Sequence, residues 1–231
     1  MTKLPNVGLY RRMTALALVV APAIFLLDNL IHPKEFKRDN EAKQLAEIAE
    51  HYDRWQIAHA LGFIAIIVFA AAVLGLAFLV RRRQPTLGLV AGALGVVGLL
   101  GLADAITIDG YTWGVMGHVS GRVDRHPDQA TLQFAFHGIQ QSKWSLLYYF
   151  TPVAWIVGMA ALALGAVRQG AVPIWAGLLF VVGAVMVGIE PSVPSNTYFI
   201  VSAAVLAAGC LAIAVPIARM SDAEYARGGP I

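Results

Sequence analysis

The sequence predicts an all-α integral membrane protein, a bundle of six transmembrane helices, and three observations lead there. Only 13% of its 231 residues are charged and 58% are hydrophobic, whereas soluble domains carry about 25% charged and about 45–50% apolar residues. Mean hydropathy is +0.66. Six apolar runs meet or approach the roughly 20 residues that a helix needs to cross the hydrocarbon of a bilayer.

The first run covers about 13–31 and follows Arg11-Arg12. A cleaved signal peptide is the competing reading. The length of the run, with no small-x-small site before Asp28, favours a span instead. The second run, 57–80, stops at Arg81-Arg82-Arg83, and Pro85 opens the third, about 86–108. The fourth, 144–167, ends at Arg168, and the fifth and sixth cover 171–189 and 198–218. Between the first two spans Ala42, Leu45, Ile48, Ala49 and Tyr52 recur at helical spacing, which predicts a short amphipathic outer helix. After Asp109 comes a glycine-rich stretch. A helical pattern through Phe134, Phe136 and Ile139 follows, with Asp128 as its N-cap, so a helical extension precedes the fourth span. No internal repeat or long linker divides the chain, and 1–231 reads as a single membrane domain.

Gly88, Gly92, Gly95, Gly98 and Gly101 stand three or four apart on the third span. Such spacing lets helix backbones approach closely in lipid, so this helix is expected to be central. A dimer contact is the alternative. Cys210, the one cysteine, excludes an internal disulfide or a cysteine metal cluster and reads as a small packing residue. Basic residues cluster at the ends of apolar runs, an anchoring pattern rather than a nucleic-acid footprint. With the N-terminus inside, nine of the 17 Lys and Arg are cytoplasmic. The count alone barely decides, but Arg11-Arg12 and Arg81–Arg83 stand hard against helix ends. The expected location is therefore the inner membrane, with both termini cytoplasmic. The expected partners are the bilayer, a lipid-soluble small molecule, and a homo-oligomer or larger membrane complex.

Laying each span against the bilayer at 1.5 Å per residue gives its polar residues a depth. Asp28, Asn29 and His32 fall at the outer end of the first span, and Gln56 and His59 at that of the second. Asp104 and Asp109 close the third. His137, Gln140, Gln141, Trp144 and Tyr148 follow on one helical face. Glu190 ends the fifth span, and Asn196 opens the sixth. A carboxylate costs about 3 kcal/mol at the centre of a membrane helix and less near its edge. Asp28 and Asp104 are thus expected to face the interior, lining an outward-opening polar cavity. Each residue also has a plain reading: Asn29 can satisfy a helix carbonyl, His51 and His118 can be solvated loop residues, and Glu190-Pro191 can be a turn.

Three chemistries suit these residue types. Asp28 and His32, four apart on one face, can join His59, His137 and Glu190 around Zn²⁺ or non-haem iron. The metal would then activate water or support redox chemistry on a lipid-soluble substrate. His59 and His137 can alternatively ligate a haem. Without metal, Asp28 or Asp104 can act as the proton donor of an isomerase or cyclase acting on an isoprenoid-like substrate. A non-catalytic membrane subunit or small-molecule binder is the other class.

With Asp28-x3-His32, the layout loosely resembles the membrane zinc hydrolases of the alkaline ceramidase and adiponectin-receptor kind. Those carry seven spans and a Ser-x3-His, Asp, His-x3-His set. No His-x3-His occurs in this chain, so the resemblance assigns no residue here. Walker, dinucleotide-glycine, HExxH and nucleophile-elbow motifs are also missing from the sequence.

Overall fold

A computed structural model describes residues 6–33, 41–122, 145–190, 193 and 195–230. Among them the chain is an all-α membrane bundle. Its long helices are α1 (Val7–Ile31), α3 (Tyr52–Arg81), α4 (Pro85–Ile108), α6 (Ser145–Arg168) and α8 (Asn196–Arg219). All five are long and apolar enough to cross a membrane. The expected fifth span is shorter than the sequence implied. Pro173, with extended backbone, delays its start, so α7 runs over Ile174–Ile189, 16 residues. Each of the six packs on its chain neighbours and α8 returns to α1, closing a ring. Leu18, Leu76, Met159, Leu162, Phe180 and Ile213 are fully buried within it, while Leu89, Leu100 and Leu178 project outward to lipid.

Three further features depart from the expected boundaries, the first being that α3 starts at Tyr52, which the spacing gives to the outer amphipathic helix, rather than at 57. The arginines preceding the first run lie inside α1, which starts a turn and a half earlier than its apolar run. The third helix does not stop at Ile108. It passes through a π-helical turn, Asp109–Trp113, into α5 (Gly114–Arg122). The expected outer amphipathic helix is α2 (Glu41–Glu50), whose Leu45 and Ile48 are buried with Trp55 and Trp113. Together α2 and α5 form a small layer at the distal end of the ring. The helical extension expected before the fourth span lies outside the described residues.

Glycine sets the α4–α6 seam. A Cβ on Gly98 would lie 2.5 Å from the backbone N and Cα of Trp155. One on Gly158 would lie 2.5 Å from the backbone N of Gly95. The glycines of α4 are therefore used inside the chain, against α3 and α6, but α4 is not the central helix expected: it is the least buried of the five long spans, and α3 is the most buried. Gly183 and Gly209 do the same between α7 and α8, against Leu206 and Phe180.

The opposite, arginine-rich end is closed by α9 (Asp222–Arg227), which opens with a Ser221–Glu224 capping box. The fully buried Tyr225 places its Oη 2.9 Å from both Thr14 Oγ1 of α1 and the Gly75 carbonyl of α3. Arg11 bonds Asp222 at 3.0 Å and the Ala218 carbonyl at 2.6 Å. Arg83 donates to the carbonyls of Gly229 and Pro230 at 3.1 and 2.8 Å.

Gly158→Leu is expected to destabilise the bundle by about 1–3 kcal/mol or prevent folding, as a lower melting temperature in detergent. Leu100→Ala, on the lipid face, should leave that temperature nearly unchanged. Burial pushes the Tyr225 phenol from 10.0 up to about 12. Its contribution is complete below pH 10 and lost as pH rises toward 12. Hydrogen exchange in α9 should accelerate over that window, and Tyr225→Phe should lack the step.

Candidate functional site

The distal ends of α1, α3 and α4 bring together Asp28, His32, Trp55, Gln56, His59 and Asp109. Their placement starts with the π turn. A π turn carries one more residue per turn than an α-helix, so it re-aims the groups that follow and widens the local backbone. Gly110 in that turn leaves a recess for an imidazole: a Cβ there would be 2.7 Å from the Cβ and ring of His59. The Gly110 carbonyl accepts from Trp55 Nε1 at 3.1 Å and Gln56 Nε2 at 3.3 Å, tying α3 to the turn.

His59 lies between two oxygens. Its Nδ1 is 2.9 Å from the Trp55 carbonyl, which can only accept, so Nδ1 carries hydrogen. Its Nε2 is 3.2 Å from Asp109 Oδ2. A neutral imidazole has one donor and one acceptor nitrogen. The Nε2–Asp109 contact therefore needs a further proton, held by His59 or by the carboxyl group. Asp109 is partly exposed, so the pair is open on one side. The rings of His32 and Trp55 complete the wall, 5.2 and 4.3 Å from His59 centroid to centroid. His32 itself is fixed by a 3.1 Å contact from Nδ1 to the Pro33 carbonyl.

Asp28 is buried at 8% exposure on α1. Gly62 of α3 makes room for it, since a Cβ there would lie 2.8 Å from Asp28 Oδ2. Among the described residues nothing donates a hydrogen bond to this carboxyl group, and it interacts electrostatically with His59 and Glu190. Glu190, at the end of α7, accepts from Ser202 of α8 and so belongs to the neighbouring helix pair.

Other expected site residues fall elsewhere. Asp104 faces outward and is exposed, contrary to the expected interior orientation, because the face of α4 that meets α6 is given over to glycine. Asn29 donates to the Phe25 carbonyl at 2.9 Å, the plain helix-end role. His51 is the turn residue between α2 and α3, beside Glu47, whereas His118 lies in α5 and packs on Tyr52, ring centroids 4.4 Å apart, so only His118 departs from the loop reading. Asn196 opens α8. His137, Gln140, Gln141 and Trp144 lie outside the described residues, as does the side chain of Tyr148. Trp55, Gly62, Gly110 and Ser202 went unread in the sequence, although the Trp55/His59 spacing of four was there to find.

The donor set bears on the metal and haem readings. No three of Asp28, His32, His59, Asp104, Asp109 and Glu190 bring ligand atoms within 4.8 Å of one another, and both nitrogens of His59 are occupied. Among the described residues the one such group is Glu47, Glu50 and His51, an acidic patch where α2 meets α3.

A family model described as "Domain of unknown function (DUF4386)" matches residues 13–221. The chain belongs to this family. The DUF4386 match begins inside α1, covers the rest of the six-helix ring and the distal layer, and ends at the cap of α9. No curated protein and no solved structure matches the chain.

Asp109→Ala removes the partner of His59 Nε2, and Gly110→Val displaces the ring itself. Both variants are expected to raise the rate of His59 modification by diethyl pyrocarbonate, read by peptide mass spectrometry, severalfold above wild type. An unchanged rate in both would show that the pair is not formed.

Proposed function

We propose that this DUF4386 protein is an intramembrane acid–base enzyme that isomerises a lipid-soluble small molecule without a metal. The observation that carries this reading is the presence of two unlike groups at the same end of the ring. His59 and Asp109 share a proton at an open edge, and Asp28 is buried without a described donor beside them. One side can give a proton to an apolar substrate while the other takes one away, and the substrate keeps its atomic composition. His32 and Trp55 would stack on the substrate and favour positive charge developing in it. The metal-dependent reading has less support, because His59 has no nitrogen left for a ligand bond.

The topology proposed is an inner-membrane protein with cytoplasmic termini and the distal cluster near the external leaflet. Arg81, Arg82, Arg83, Arg168 and Arg219 all gather at the end of the ring where α9 lies, in keeping with the excess of basic residues on cytoplasmic flanks. Cys210 is fully buried and should stay silent toward thiol reagents. In spheroplasts, Tyr111→Cys should therefore be labelled by a membrane-impermeant maleimide, and Arg168→Cys only after lysis. The reverse pattern would invert the topology.

For the activity, lipid extracts of membranes containing wild type, Asp28→Asn and Asp109→Asn are compared by chromatography and mass spectrometry. Wild type should shift at least one pair of equal-mass species. Loss of a general acid or base typically costs about 10²–10⁴-fold in rate, so both variants should abolish the shift. Indistinguishable extracts from all three proteins would overturn the proposal.

A further inference from the structure

The short helix leaves a notch in the ring. With 16 residues α7 is about 24 Å long, whereas the 24 residues of α6 and of α8 reach about 36 Å. At the arginine-rich end a cleft of about 980 Å³ is lined by the Gly170–Pro173 connection, α7 and α8. Its upper wall is apolar: Trp175, Leu179, Leu211 and Val215. Two opposite charges, Arg219 and Glu224, also line it.

Both charged groups have capacity to spare. Arg219 is exposed and forms no ion pair among the described residues. Glu224 accepts from the Ser221 backbone N and Oγ through one oxygen, Oε2, at 2.7 and 2.8 Å. These bonds hold its carboxyl below the usual value, so it is charged at neutral pH and its Oε1 remains available. A guanidinium suits a phosphate through paired donors, and a carboxylate suits an ammonium. An anionic headgroup would satisfy only the first and meet repulsion from the second.

We propose that the notch binds one phospholipid with a primary-ammonium headgroup. Its phosphate lies on Arg219, its ammonium on Glu224, and an acyl chain runs along Trp175, Leu179, Leu211 and Val215. The lipid fills the thickness that α7 does not span, and the site is independent of the distal cluster.

Native mass spectrometry of the detergent-purified full chain, given equal amounts of phosphatidylethanolamine, phosphatidylcholine and phosphatidylglycerol, tests this. The ethanolamine lipid should be retained about tenfold over each of the others, the ratio one charge-assisted contact of about 1.4 kcal/mol supplies. Arg219→Gln should lower retention of all three lipids. Glu224→Gln, which keeps the capping box, should erase the preference of ethanolamine over both choline and glycerol. Ala208→Trp, which fills the cleft from its exposed rim, should lower retention of all three. Equal retention of the three headgroups by wild type, a preference for the glycerol lipid, or retention unaffected by both Arg219→Gln and Ala208→Trp would overturn the proposal. Melting temperatures in the same detergent separate misfolded variants from lipid-free ones, and the wild-type comparison stands without any variant.

Discussion

Helices in hydrocarbon gain little from burying apolar surface against one another, so their association rests on close packing and on satisfied polar groups. In this bundle the close packing is made by missing side chains. Gly98 and Gly158 let α4 and α6 touch backbone to backbone. The same device admits polar groups at the distal end, where Gly62 receives Asp28 and Gly110 receives His59. A carboxyl and an imidazole could not otherwise fit between α1, α3 and α4 without pushing the helices apart. The ring and its candidate site thus depend on one constraint, the absence of a Cβ at a few contact points.

The π turn adds a second layer to that constraint. It carries Asp109 to His59 and turns the Gly110 carbonyl toward Trp55 and Gln56. One extra residue in the helix thereby supplies a hydrogen-bond acceptor, a charged partner and a recess at the same height. The buried Trp55 binds this turn to the apolar layer formed by Leu45 and Ile48 of α2, so the outer helices and the polar cluster support each other.

The bundle was legible in the sequence because the length and apolarity of a run determine whether it can span a membrane. Its six runs therefore appeared, and Pro173 accounts for the shortening of the fifth. The helix through 109–122 was not legible, since Asp109, Gly110, Gly114 and Gly117 have the composition of a loop. Only packing against Trp55, Gln56 and Ile48 shows why they are helical. The polar layer was legible in depth but not in azimuth. Residue spacing gives height along a helix, whereas rotation depends on which neighbour has room. Asp28 turns inward because Gly62 is opposite it. Asp104, at a similar height on α4, turns outward because the inner face of that helix is taken by α6. Both carry the same side chain in an equally apolar run, so nothing local to either residue distinguishes them.

Closure of the ring by its first and last long helices also governs the order of assembly. During synthesis α1 is made before its second neighbour α8 and before the α9 helix that follows. Thr14 must wait for Tyr225, and Arg11 for Asp222 and the Ala218 carbonyl, until all the helices between them have been made. Until then the bundle is an open crescent, with the polar groups along one flank of α1 facing lipid or whatever attendant shields them.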